Sequence, residues 1–400
     1  MKALNLLVCL ILAFAISSCN DDDGVPNSSN ENLIVMKAFY FRHNMPDQSI
    51  VVTDPDGKVL SFTKSTYWQD TPIRPSLQGY RGKLVNLYLI NRYDDRYIVS
   101  VFLNLKRGSE FIGPDYEAES ADFKQSRFKL HNVDAFDSFT FSTDVVGYSL
   151  TNLADTVGRM QHAFYKGEKA FGQVVTNGQG YYNFFDISDG TEAITIDRAQ
   201  MNKLSSKTTI DLGSGIEQCT YLLGASFDAE SHGPGYQLFY TWSRPKFDVY
   251  YPNEPFAKYF STIYYNDDNR SYTEQRESTA PNFKYEKIPF NFVVTNASPR
   301  YMRLDISGQF DYYVATYRSP DYKKELTIYG PHSNEEYRFP DFSSIGELDT
   351  FPLAELKTLS IEMLDFDGLE ENDEHFKYFT SGHFPWPRNS KSVSFSMTLQ

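Results

Sequence analysis

Along most of the chain apolar and polar residues alternate one by one, the period of a β-strand with one wet face. Met302, Leu304 and Ile306 stand against Tyr301, Arg303 and Asp305. Leu359, Ile361 and Met363 stand against Ser360 and Glu362. Near the end of the chain Val393, Phe395, Met397 and Leu399 interleave with Ser392, Ser394, Ser396 and Thr398. Tyr97, Val99, Val101, Leu103 and Leu105 alternate with Ile98, Ser100, Phe102 and Asn104, and Phe139 and Phe141 with Ser138, Thr140 and Ser142. Leu84 to Ile90 is apolar on both faces except at Asn86. Between Ser49–Val52 and Val59–Phe62 lies Asp54-Pro55-Asp56-Gly57. Asp first, Pro second and Gly fourth suit a type I turn, because Pro presets φ and Asp bonds the backbone.

One stretch has a different period. Leu153, Val157, Met160 and Phe164 are spaced four, three and four apart, with Asn152 placed as N-cap, Asp155 in the first turn and Lys166-Gly167 as a stop. That spacing predicts a helix, with a hairpin as its rival. A second short signal occurs twice: Asp197, Met201 and Leu204 recur as Asp341, Ile345 and Leu348. An Asp capping one helical turn over two apolar residues accounts for both.

The expected fold is therefore all-β, with two or three antiparallel sandwich-like domains and a few short helices. The 400 residues exceed one typical domain. Segment 33–113 reads as an N-terminal sandwich, 114–287 as a β-rich domain, and 288–400 as a C-terminal one that is either separate from 114–287 or one unit with it. Composition supports strands: 29 Tyr and 32 Phe, against only 3 Trp, favour pleated surfaces.

The first residues are not strand-like. Lys2 supplies a positive start, and Ala3 to Ile16 is apolar except at Asn5, too short to span a bilayer and suited to a signal peptide. The run ends Ile16-Ser17-Ser18-Cys19. It resembles the lipobox of bacterial lipoproteins, and the resemblance implies that residues 1–18 are removed and Cys19 is lipidated as the new N-terminus. Asn20-Asp21-Asp22-Asp23-Gly24 follows directly. This acidic run resembles the export signal of surface-exposed Bacteroidota lipoproteins, which implies the outer leaflet of the outer membrane; the alternative is a solvated linker. Residues 19–32 then form a flexible acidic stalk. The VTDPDGKVL hairpin and the NLKRGS turn of 33–113 resemble carboxypeptidase-regulatory-like or Ig-like modules, a resemblance that implies a sandwich and no functional residue.

The net charge of −14 and the lack of a basic block argue against nucleic acid and anionic lipid as partners. Of three cysteines, Cys9 leaves with the signal and Cys19 is lipidated, so Cys219 has no intrachain partner and reads as a small buried hydrophobe.

Catalytic motifs are scarce. No G-x-S-x-G elbow, phosphate-binding loop or H-E-x-x-H occurs. Ser61-Phe62-Thr63-Lys64 satisfies S-x-x-K but sits in strand-like sequence, where Ser and Lys do not meet. The seven histidines are scattered. The only cofactor candidate is calcium, at Asp365 and Asp367 within an acidic stretch that runs to Glu374; the alternative is a solvated charged loop.

Adjacent tyrosines carry the best hint of a binding role: Tyr181-Tyr182, Tyr250-Tyr251, Tyr264-Tyr265 and Tyr312-Tyr313. Neighbours in a strand point to opposite faces, so one ring of each pair leaves the core unless both faces are covered. An exposed ring with a polar tip suits a sugar or a peptide side chain. Trp68, Trp242 and Trp386 either line a cleft or plug domain ends. The expected function is non-catalytic binding of an extracellular glycan or peptide, accessory to an outer-membrane protein partner in uptake. A structural or adhesive role comes second and a two-carboxylate glycosidase third.

Overall fold

A computed structural model of the chain describes residues 32–36, 47–66, 80–93, 95–111, 123–132, 136–143, 147–151, 160–165, 169–186, 193–213, 216–231, 235–267, 270–281, 284–285, 288–332, 336–343, 345, 351–367 and 389–399. Cys19, the signal segment and almost all of the stalk lie outside these residues, as do Trp68, Trp386 and the acidic residues after Asp367. Within them the fold is all-β, and its only helices are two single 3-10 turns at Arg198–Gln200 and Leu353–Glu355. No helix among the described residues is long and apolar enough to cross a membrane.

Twelve strands form one sheet among the described residues. In spatial order they are Tyr236–Ser243, Cys219–Ser226, Lys258–Asp267, Arg270–Ser278, Ser390–Thr398, Thr358–Phe366, Tyr312–Arg318, Lys324–Pro331, Arg96–Lys106, Leu84–Tyr93, Asp47–Thr53 and Val59–Thr66. All three segments separated in the sequence thus contribute to one sheet. The first and last meet at its one parallel joint, where Lys324 to Tyr329 lie against Tyr97 to Phe102. Tyr97 N–H donates to the Lys323 carbonyl at 2.8 Å and Lys323 pairs with Asp95, extending that joint past the ladder.

The inner face of the sheet carries the main core. Tyr88, Val101, Tyr221, Ile263, Tyr313, Leu326 and Ile361 are all within it, and Phe292, Met302, Leu304 and Tyr337 close it from the three-stranded sheet Asn291–Ser298, Tyr301–Ser307 and Glu336–Arg338. A five-stranded sheet around Lys169–Thr176 adds Phe171 and Val175 to this core and holds a smaller one of its own around Phe139, Phe141 and Val174. At the N-terminal end of the large sheet the outer face is covered too, by Ile50, Val52, Leu60, Leu87, Leu89 and Phe102. That is why Leu84 to Ile90 is apolar on both sides. Asn86 is tolerated there because its Oδ1 accepts from Asn104 N–H at 2.8 Å across a register shift and its Nδ2 donates to the Asp54 carbonyl at 3.2 Å.

Local signals fare unevenly. The Asp54–Gly57 turn forms with Gly57 N–H donating to the Asp54 carbonyl at 3.0 Å, and Gly57 takes a φ of 88°, open to a residue without Cβ. Both capping aspartates act alike: Asp197 accepts from Ala199 N–H at 3.0 Å, and Asp341 from Ser343 N–H at 2.9 Å. The helix expected through Phe164 is corrected in its second half. Met160–Tyr165 is a strand antiparallel to Phe123–His131, while 152–159 lie outside the described residues. Met160 and Phe164 are four apart, a spacing that fits period two as well as 3.6, and the pairing strand decided between them. Ser61 and Lys64 sit on Val59–Thr66, three apart in a strand, so they point to opposite faces.

The inner core is tightly filled around Tyr313, whose hydroxyl is buried without a hydrogen-bond partner among the described residues. A Cβ at Gly330 would overlap the Tyr313 ring. Gly330→Ala should therefore cost about 1–3 kcal/mol of stability through overpacking. Tyr313→Phe should be neutral or slightly stabilising, because it removes a desolvated hydroxyl that gains nothing. Urea unfolding midpoints of the two variants check both signs.

Candidate functional site

The pleat sorts each strand of the large sheet into an inner and an outer row, and partners directly opposite in the ladder share a face. Trp242 faces Thr220, Thr220 faces Tyr264, Tyr264 faces Thr273, and Thr273 faces Ser392. These five residues form one outer row across five strands. Their chain neighbours Tyr221, Tyr265, Tyr272 and Val393 point inward and are buried. The row on one side is Tyr240, Leu222, Thr262, Gln275 and Ser390, and on the other Asn266, Ser271 and Ser394.

Two rings of the central row stand open. Trp242 is 67% exposed and Tyr264 is 39% exposed. They flank a single strand, so they are two strand spacings apart, about 10 Å. Thr220 lies between them. Trp242 is near the end of the strand that closes the sheet among the described residues, whose Gln237 exchanges hydrogen bonds with Ser142 of the five-stranded sheet. Tyr264 is tethered by its tip: its Oη lies 3.0 Å from Asn266 Oδ1 and 2.9 Å from Ser271 Oγ, and Ser271 Oγ donates to Asn266 Oδ1 at 2.7 Å. This triangle fixes the ring before any ligand arrives, which lowers the ordering cost of binding.

No family model and no curated protein matches the chain. Among solved structures, the chain is similar at 9% identity to an Escherichia coli alpha-2-macroglobulin activated by porcine elastase, over 80% of this chain and 39% of that one, with a TM-score of 0.12. It is similar at 10% identity to a Salmonella alpha-2-macroglobulin mutant, over 86% of this chain and 29% of that one, with a TM-score of 0.14. The chain spans well under half the length of either protein. Likenesses at these TM-scores carry no argument about fold or function.

Of the paired tyrosines, Tyr264 alone is exposed; the other seven are wholly or partly buried. Tyr265 is buried and stacked on Tyr272, ring centroids 5.0 Å apart. Tyr250 is buried, donates to the Gly178 carbonyl at 3.0 Å and has Lys207 Nζ 5.7 Å from its ring centroid. Tyr251 packs against the main core. Tyr181 packs against the smaller core with the Arg198 guanidinium 5.9 Å from its ring centroid. Tyr312 and Tyr313 are both buried, one on each face, because Phe366 covers Tyr312 at 5.5 Å between centroids. Tyr182 joins Phe184, Phe227, Tyr236 and Phe256 in an aromatic cluster and donates to Glu254 Oε1 at 2.7 Å.

The metal candidates gather less. Asp365 is half-buried on the inner face opposite Lys391 and Asp367 is exposed just beyond its strand. Burial, then the neighbouring Asp311, raises the Asp365 carboxyl above its ordinary range. Among the described residues no three carboxylate, histidine or cysteine side chains come together in a metal-binding group. A cavity of about 360 Å³ lies against Tyr272, Ile288, Pro289, Phe290 and Asn291, with no carboxylate or basic side chain among its described lining residues.

Sequence reasoning reached Tyr264 and Trp242 but not Thr220, Asn266, Ser271 and Thr273 beside them. Their signal was the polar half of the alternation around the core tyrosines: Thr220 and Ser271 precede one, and Asn266 and Thr273 follow one.

The buried phenols make a pH prediction. Burial pushes Tyr265 and Tyr285 up to about 12, and burial together with the adjacent Glu254 carboxylate does the same for Tyr182. Their folded pKa values lie above the unfolded value near 10, so the unfolded chain loses these protons first. Stability should be unaffected by these groups below about pH 10 and fall as pH rises from there towards 12. Tyr182→Phe should make the alkaline decline shallower, as read from urea midpoints between pH 9 and 11.5, about the range the unfolded phenols titrate.

Proposed function

We propose that the chain is a lipid-anchored protein of the outer-membrane surface that binds an extracellular glycan without transforming it. The observation that carries this reading is the outer row Trp242, Thr220, Tyr264 and Thr273, two open rings with hydroxyls between and beside them. A sugar ring presents C–H groups on its faces and hydroxyls around its edge. The first need an apolar plane and the second need short polar side chains that both donate and accept. A peptide ligand would draw instead on backbone groups of a strand edge or on charged pockets, whereas the row offers rings and hydroxyls on the face of the sheet.

Anchoring rests on the sequence: the Cys19 setting, the aspartate run and the polar stalk up to Asn32. Two or three acyl chains at Cys19 hold stably where one chain would exchange. The stalk then lets the sheet stand off the membrane. An outer-membrane protein that imports what the row captures is the partner this arrangement would serve, and calcium at Asp365 and Asp367 is not needed for it.

Two measurements test the reading. Cells expressing the chain should incorporate labelled palmitate into it and lose that label with Cys19→Ala, and added protease should digest the wild-type protein on whole cells. Binding to a panel of insoluble polysaccharides should be seen with the wild type and fall at least about tenfold with Trp242→Ala or Tyr264→Ala, the effect of losing a contact worth about 1.4 kcal/mol. Unlabelled, protease-protected protein would remove the surface placement. Equal retention of both ring variants would remove the row.

A further inference from the structure

The rows beside Trp242 and Tyr264 hold more information than the two rings. Across the five strands from Tyr236–Ser243 to Ser390–Thr398 the three outer rows contain Thr, Ser, Asn, Gln, Leu, Tyr and Trp side chains. None of those positions carries a carboxylate, an ammonium or a guanidinium. This is unusual in a chain that is 22% charged. Ionisable side chains of the same strands are placed elsewhere. Glu274 and Lys391 face inward, where Glu274 is 2% exposed and pairs with Arg276. Glu277 faces outward but one row beyond Gln275, at the end of its strand, tied to Lys258 at 3.2 Å.

A charged saccharide or an acidic or basic peptide gains orientation and on-rate from an opposite charge on its receptor. These three rows offer none. The outward charges nearest to them are Glu362, opposite Ser394 on the sixth strand, and Glu277, one row beyond Gln275; with the chain's net charge of −14 these carboxylates disfavour uronic acids and sulfates. A neutral sugar needs no counter-charge. Its hydroxyls exchange water for the hydroxyls and amides of Thr220, Thr262, Thr273 and Gln275 at little net cost. The rings are two strands apart along the row, so a ligand touching both runs across the strands and must be an extended chain of several sugars.

We infer that the face binds a neutral, extended polysaccharide laid across the strands, with Trp242 and Tyr264 each stacking on a sugar ring. This rests on the glycan reading above and narrows it to a class.

The test is affinity electrophoresis of the chain as expressed, purified in detergent, through gels containing one soluble polysaccharide each: hydroxyethylcellulose, xyloglucan and galactomannan as neutral probes, polygalacturonate and chondroitin sulfate as anionic ones. Expected is retardation by at least one neutral probe, unchanged between low and high salt, and reduced tenfold or more by Trp242→Ala, a variant at an exposed side chain. Thr220→Asp, which sets a charge between the rings, should weaken retardation by an anionic probe further and by a neutral probe by steric and desolvation cost alone. An unaltered melting temperature in both variants separates lost contacts from lost folding. Retardation by an anionic probe alone, abolished by salt and by Trp242→Ala, would overturn the neutral class while sparing the glycan reading. No retardation by any probe would overturn both.

Discussion

Everything in this molecule follows from the pleat of a single large sheet whose inner face must be dry. With Cys219 alone and buried, no disulfide holds the described residues, so burial and ladder hydrogen bonds carry stability. The pleat then fixes what is left over. If Tyr221, Tyr265 and Tyr272 fill the core, Thr220, Tyr264 and Thr273 must point outward, and no one-residue slip of any strand can keep one set while changing the other. The core and the candidate site are two readings of the same register.

The outer face changes character along the sheet for reasons that lie in what packs on it. At the N-terminal end it is capped by a second core with Phe102 stacked on Tyr329 at 4.7 Å between centroids. In the middle it carries small hydroxyls, Ser360, Ser394, Ser396 and Thr316, with the Glu362 carboxylate beside them, side chains that need little cover. At the edge it carries Trp242 and Tyr264 in the open. Isolated exposed rings are ordinary on protein surfaces. Two in one ladder row, one of them held by an Asn–Ser–Tyr triangle, are a more specific arrangement, since the tether serves no burial.

The sequence was most legible where period two was strict. Met302 to Ile306, Leu359 to Met363 and Val393 to Met397 are strands whose apolar members face the core, and the Asp-Pro-Asp-Gly turn has its expected bond. It was least legible where only long-range pairing decides. Nothing local in Lys324–Pro331 indicates that it pairs parallel with Arg96–Lys106, more than two hundred residues away, and so the segments that looked like separate modules share a sheet. The Leu153–Phe164 spacing could not choose between periods without its partner strand. For the site, adjacent tyrosines marked two-faced strands correctly, but burial of the second face depends on neighbours such as Phe366 that no window contains. Hence Tyr312 was indistinguishable from Tyr264.

The separation of core and outer row has an energetic consequence. Trp242, 67% exposed, contributes little to folding because most of its ring stays in water in both states, so replacing it costs far less stability than replacing the fully buried Tyr221 or Ile263. The Asn266–Ser271–Tyr264 triangle links the two demands, since Asn266 and Ser271 are ladder partners of Lys258–Asp267 and Arg270–Ser278 and meet only in that register. The register that buries Tyr221, Tyr265 and Tyr272 therefore also sets the spacing of Trp242 and Tyr264 on the other face.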